Sequence, residues 1–152
     1  MEGDRALVER QLGRPPRAFA RVVVRCPFGR PAVTEQAPYD AAGEPFPTTF
    51  WLTCPHLVAA VSRLEAAGGV ERWSRAAAGD ARLRESVEHA HAEQRALRPE
   101  LDVGVGGARA GAGSLKCLHA HVAFALARPG YELGERVVAE LDPLWPEVCC
   151  TP

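Results

Sequence analysis

Five cysteines and five histidines carry most of the reactive chemistry in this 152-residue chain. Cys26 follows a β-branched run, Cys54 stands just before Pro55 at the start of a helical period, and Cys117 precedes another helical stretch. Each lies where the backbone is expected to change direction. Unpaired N–H groups at a helix start favour a thiolate over a thiol at Cys54 and Cys117, and the thiolate is the form that binds metal or attacks carbon and phosphorus. At about 100° per residue, Cys117, His121 and Phe124 form one helical stripe, while Leu115, Leu118, Val122 and Leu126 form a second. On that spacing Cys117 and His121, at i and i+4, can share one ion. Three thiolates and one imidazole make a common tetrahedral zinc set, so Cys26, Cys54, Cys117 and His121 are the expected ligands, with His119 as a supporting or substitute ligand. An iron–sulfur cluster on the same residues ranks below zinc. Four protein ligands close a site and imply a structural role, whereas a missing ligand leaves a position open for metal-assisted chemistry on a small anion.

Two other readings use the same residues. In one, Cys117 is a nucleophile with His119 beside it, and the amides of the glycine-rich stretch between Val103 and Gly113 hold an anion. Gly106, Gly107, Lys116 and Arg63 are the expected anion-binding residues. The stretch lacks the GK[ST] ending of a nucleotide-binding loop, so the anion is a phosphate or acyl compound of unspecified kind. In the other, the chain is a metal-free interaction module whose cysteines pack as small hydrophobes. Among the remaining candidates, His89 reads as solvated, His91 as a hydrogen-bonded core residue and His56 as a capping-region surface residue. The Arg63-Leu64-Glu65 segment offers an arginine and a carboxylate for pairing with another element.

The elements that must position these groups follow from hydrophobic period and punctuation. Glu2 to Gln11 suits a short helix ended by Gly13-Arg14-Pro15-Pro16. Arg21–Arg25 and Phe46–Leu52 suit strands, and Ala32–Gln36 a shorter one. The period then becomes helical: Thr53 is the expected cap of a helix running to Gly68, and a second helical region spans about Val70 to Leu97 with a break at Gly79-Asp80. Ser114 is the expected cap of a helix to about Ala127, and a last helix runs from about Leu133 to Leu141. Strands first and helices after give an α+β fold, a small and mainly antiparallel sheet from the N-terminal third covered by C-terminal helices. The expected division is an arm over residues 1–20, a single domain over 21–141 and a flexible tail over 142–152.

Composition narrows the setting. Eighteen basic against nineteen acidic side chains leave a formal charge of −1, which gives no strong nucleic-acid signal. No apolar run reaches the length of a membrane span, and the start of the chain lacks the apolar core of a signal peptide. An odd number of cysteines with no export signal fits reduced thiols in the cytoplasm. The expected partners are a small anionic ligand or another protein, and whether the chain is an enzyme stays open.

Five blocks give the chain a likeness: CPFGRP at Cys26–Pro31, PFPTTFWLTCP at Pro45–Pro55, SRLE at Ser62–Glu65, GVGG at Gly104–Gly107 and KCLHAH at Lys116–His121. Together they resemble the bacterial family known as domain of unknown function five hundred and one, over about Arg21 to Arg128. The resemblance implies a cytosolic protein of high-GC Gram-positive bacteria, encoded near a septum-formation protein and an exopolyphosphatase. It therefore implies a role close to cell division or polyphosphate metabolism. It assigns no catalytic residues, and Cys149 and Cys150 fall outside it.

Overall fold

The computed structural model describes residues 3–109 and 113–152. Strand β1 (Phe19–Arg25) and strand β2 (Pro31–Gln36) pair antiparallel around a tight turn. In that turn the Cys26 N–H donates to Arg30 O and the Gly29 N–H to Cys26 O, each at 2.9 Å. Gly29 sits at φ +81°, which a residue without a Cβ adopts freely. Strand β3 (Phe50–Leu52) pairs antiparallel with β2, setting Val33 opposite Leu52 and Glu35 opposite Phe50, so the order is β1-β2-β3. Helix α1 (Asp4–Leu12) packs on β1 and β2 through buried Leu7 and Val8. After the sheet come α2 (Pro55–Ala66), α3 (Gly69–Gly79), α4 (Ala81–Leu97), a 3-10 turn (Val105–Gly107), α5 (Leu118–Ala127) and α6 (Glu132–Ala139). The fold is α+β, with its three-stranded antiparallel sheet in the N-terminal part.

Helix α5 is the centre of the molecule. Its residues Leu118 and Ala120–Ala125 are all buried, so it has no water-facing stripe, and it packs against β3, α2 and α6. Phe124 meets the edges of Phe50 and Tyr131, with ring centres 5.7 and 5.9 Å away. Whatever sits at the start of α5 is therefore held by a buried rod.

Several boundaries differ from expectation for identifiable reasons. The strand expected from Phe46 forms only at Phe50, because Pro45 and Pro47 have no N–H to give a ladder. The preceding loop is instead tied by Asp40 Oδ1, which accepts from the Ala42 and Glu44 amides at 3.0 and 2.9 Å. Thr53 does not cap α2: its amide donates to Ala32 O at 3.0 Å, and Cys54 takes the N-cap position with no side-chain capping bond. Ser114 does not cap α5 either, since it accepts from the Lys116 amide at 3.1 Å and the N-cap is Cys117. The break at Gly79-Asp80 is present, and Asp80 Oδ1 receives the Arg82 and Leu83 amides. The stretch expected to be a flexible tail is tethered at its end. Gln11 and Arg30 donate to Thr151 Oγ1 and O at 3.1 and 3.0 Å, and Arg10 donates to Pro152 O at 2.7 Å.

Candidate metal centre

The chain reverses just before α5 at Lys116, which holds φ +66°, and Cys117 follows in an extended conformation at φ −153°. This places the Cys117 thiol beside the first turn of α5 rather than along its flank. Facing it, α2 presents Ser62 and Glu65, three positions apart and hence on one face. Glu65 Oε2 accepts from the Leu118 amide at 2.7 Å and contacts His119 Nδ1 at 3.1 Å. One carboxylate from α2 thereby caps α5, where no local side chain does, and its charge meets the positive end of the helix. On its other edge His119 Nε2 lies 3.2 Å from Ser62 Oγ and 3.3 Å from Val58 O.

Donor atoms of Glu65, Cys117 and His119 all lie within 4.8 Å of one another, and among the described residues no other set of three such side chains does. The Glu65 and His119 side chains are about one-quarter exposed, so the group opens to water without being washed by it. A hydrogen bond to Cys117 and the charge of Glu65 outweigh partial burial and hold the His119 imidazole up to about 9. A metal at Nδ1 would therefore have to displace a proton that this contact with Glu65 favours. An oxygen, a sulfur and a nitrogen converging from two helices form a mixed donor set that suits a borderline divalent ion.

The structure joins Cys117 to His119, but it does not gather Cys26, Cys54, Cys117 and His121 as four ligands. His121 is fully buried and spoken for. The Leu115 carbonyl, 3.1 Å from Nε2, can only accept, so Nε2 carries the hydrogen and Nδ1 accepts from the Tyr131 hydroxyl at 2.7 Å. Both ring nitrogens are used, and burial with His91 nearby pushes its pKa down to about 4. Cys54 is buried with its sulfur 3.6 Å from that of Cys150, and burial raises its thiol pKa to about 11. Cys26 stays in the β1–β2 turn as a half-buried free thiol.

The expected anion cradle is occupied by the protein itself. The Val105 amide donates to His91 Nδ1 at 2.9 Å and the Gly107 amide to Gly104 O at 3.0 Å. A Cβ on Gly106 would come within 3.0 Å of Ala120, so this turn serves close packing on α5. Residues 110–112 of the glycine-rich stretch lie outside the described residues. Arg63 and Lys116 are exposed. A cavity of about 370 Å³ beside this region takes other arginines, Arg84, Arg95 and Arg109, into its lining. A larger cleft of about 900 Å³ between α1 and the 37–47 loop, lined by Arg14, Tyr39, Phe46 and Trp51, holds none of the cysteine or histidine candidates. His91 is hydrogen-bonded but only half-buried, where its spacing suggested the core, His89 is exposed as expected, and His56 contacts Pro143 O at 3.0 Å.

Sequence reasoning left Glu65 as a generic pairing residue and did not use Ser62 or Tyr131. The SRLE block was the available signal, since it puts a hydroxyl and a carboxylate on one helical face.

A family model described as "Protein of unknown function (DUF501)" matches residues 22–102, just over half of the chain. Glu65 lies inside the match, and Cys117 and His119 lie beyond its end, short of the Arg128 limit of the resemblance seen in the sequence. No curated protein and no solved structure matches. Among the described residues no helix is long and apolar enough to cross a membrane.

Proposed function

The chain belongs to the DUF501 family, and from that premise we propose that it is a zinc-binding protein whose ion is held by Glu65, Cys117 and His119 at the start of α5. The observation that carries this reading is the mutual approach of the three donor atoms within 4.8 Å. Zinc bonds to O, N and S ligands of about 2.0–2.3 Å in a tetrahedron separate neighbouring ligands by about 3.5 Å, a contraction within reach of side-chain rotation. Three protein ligands leave a fourth position. An open zinc position takes up water or an anionic oxygen, phosphate included, so a small anionic ligand is the matching partner. A cytoplasmic setting, and a place near cell division or polyphosphate metabolism, extend the same proposal. They rest on five free thiols and on the family resemblance.

Equilibrium titration against a chromogenic zinc competitor tests it. One equivalent is expected per chain, with affinity falling by at least on the order of 100-fold in Cys117→Ser and His119→Ala, since even outer partners of a zinc ligand are worth 10–100-fold. Unchanged affinity in both variants would refute the assignment. The second reading, Cys117 as nucleophile beside His119, is favoured by the approach of their sulfur and nitrogen atoms within 4.8 Å. Rapid iodoacetamide labelling of Cys117 in protein that binds no zinc would select it.

A further inference from the structure

Two thiols outside this centre meet across 96 positions of sequence. Cys54 Sγ and Cys150 Sγ are 3.6 Å apart, and both residues are free cysteines. The encounter is built from both sides. Cys54 is 2 % exposed and fixed at the start of α2, its amide directed to Ala32 O and its carbonyl accepting from the Val58 amide. Cys150 is exposed, but the next residue, Thr151, is 6 % exposed and gripped by Gln11 and Arg30, and Arg10 holds the carbonyl of Pro152. Cys149 is engaged otherwise, its sulfur taking the Thr151 amide at 3.4 Å, so Cys150 is the tail thiol aimed at Cys54.

We propose that Cys54 and Cys150 form an oxidative modification site, closed to a disulfide by hydrogen peroxide or an organic hydroperoxide. The exposed Cys150 sulfur attacks the peroxide O–O bond, gaining oxygen to become a sulfenic acid while the second peroxide oxygen leaves as water or alcohol. The Cys54 sulfur then attacks the sulfenic sulfur, the S–O bond breaks, and the departing hydroxide takes the Cys54 proton to leave as water. Both sulfurs are oxidised by one electron each and the peroxide is reduced by two. Order follows from exposure: Cys54 is buried, and burial keeps it a thiol, so it resolves rather than senses. Closure fastens the tail end covalently to the start of α2, adding to the hydrogen bonds by which Arg10, Gln11 and Arg30 hold it.

Treatment of the reduced full chain with hydrogen peroxide, followed by alkylation and peptide mapping, tests the site. Two of the five thiols should disappear, with Cys54 linked to Cys150, the link should reverse with dithiothreitol, and Cys149→Ser should behave like the parent. Cys150→Ser, at an exposed position that folding does not need, should keep Cys54 alkylatable after denaturation. A Cys54 that stays free in the peroxide-treated parent, a Cys149–Cys150 link, or bridging mainly between chains would each overturn the proposal.

Discussion

At the scale of single residues, His119, expected as a supporting or substitute ligand, is the histidine whose ring nitrogen lies within 4.8 Å of the Cys117 sulfur, while His121, expected as a ligand, faces the core. Cys117 and His121 are four apart, and that spacing implies one face only while both lie in the helix; Cys117 is instead the extended residue before it. The helical stripe does not reach Cys117, and His119 and Glu65 meet it. His121 is a neutral core residue whose tautomer is set by Leu115 O and the Tyr131 hydroxyl. Tyr131→Phe should therefore lower stability by about 1–3 kcal/mol, measured by urea denaturation, because it strands a buried acceptor. Acid should act through the same ring, which faces His91 and Tyr131. Its folded pKa of about 4 lies below the ordinary 6.5, so the unfolded chain accepts a proton that the folded chain refuses. The contribution is intact above pH 6.5 and lost progressively toward pH 4, by about 3 kcal/mol at the acid end. The urea midpoint should fall between pH 7 and pH 5 in the parent, and by less in His121→Gln. Equal acid sensitivity in the two proteins would contradict this account.

At the scale of elements, periodicity and punctuation located the six α-helices found among the described residues, and the Gly79-Asp80 break was legible because Asp80 caps locally. The cap of α5 was not legible, since it comes from Glu65, 53 residues earlier in the chain. Glu65→Gln keeps an oxygen for the Leu118 amide, whereas Glu65→Ala removes it. The alanine variant should lose about 1 kcal/mol more than the glutamine variant in thermal or urea unfolding, while both weaken zinc binding. Helix α6 supplies a test of opposite sign to ordinary propensity. Gly→Ala inside a helix usually gains up to about 1 kcal/mol. At Gly134, however, the new Cβ would stand 2.7 Å from the Ala125 Cβ and 2.6 Å from the Tyr131 ring. Backbone-borne Ala125 cannot rotate away, so Gly134→Ala should destabilise by about 1–3 kcal/mol. A rise in melting temperature would show that α5 and α6 do not pack this closely.

At the scale of the whole molecule, the order of strands before helices was enough to give the α+β class, because hydrophobic period and punctuation are local signals. What no local signal carries is which surfaces meet. The pairing of α2 with the start of α5, and the return of the tail to α1 and α2, join residues 50 to 140 positions apart. The two meetings separate the cysteines into distinct chemistries, Cys117 with an imidazole and a carboxylate, Cys54 with a second thiol. Cobalt(II) substitution reads that separation most directly, through the sulfur-to-metal charge-transfer band of a bound thiolate. Cobalt added to the reduced full chain should give a band of one-thiolate intensity that disappears in Cys117→Ser and persists in Cys150→Ser. A band that survives Cys117→Ser, or no band at all, would contradict a centre at Glu65, Cys117 and His119.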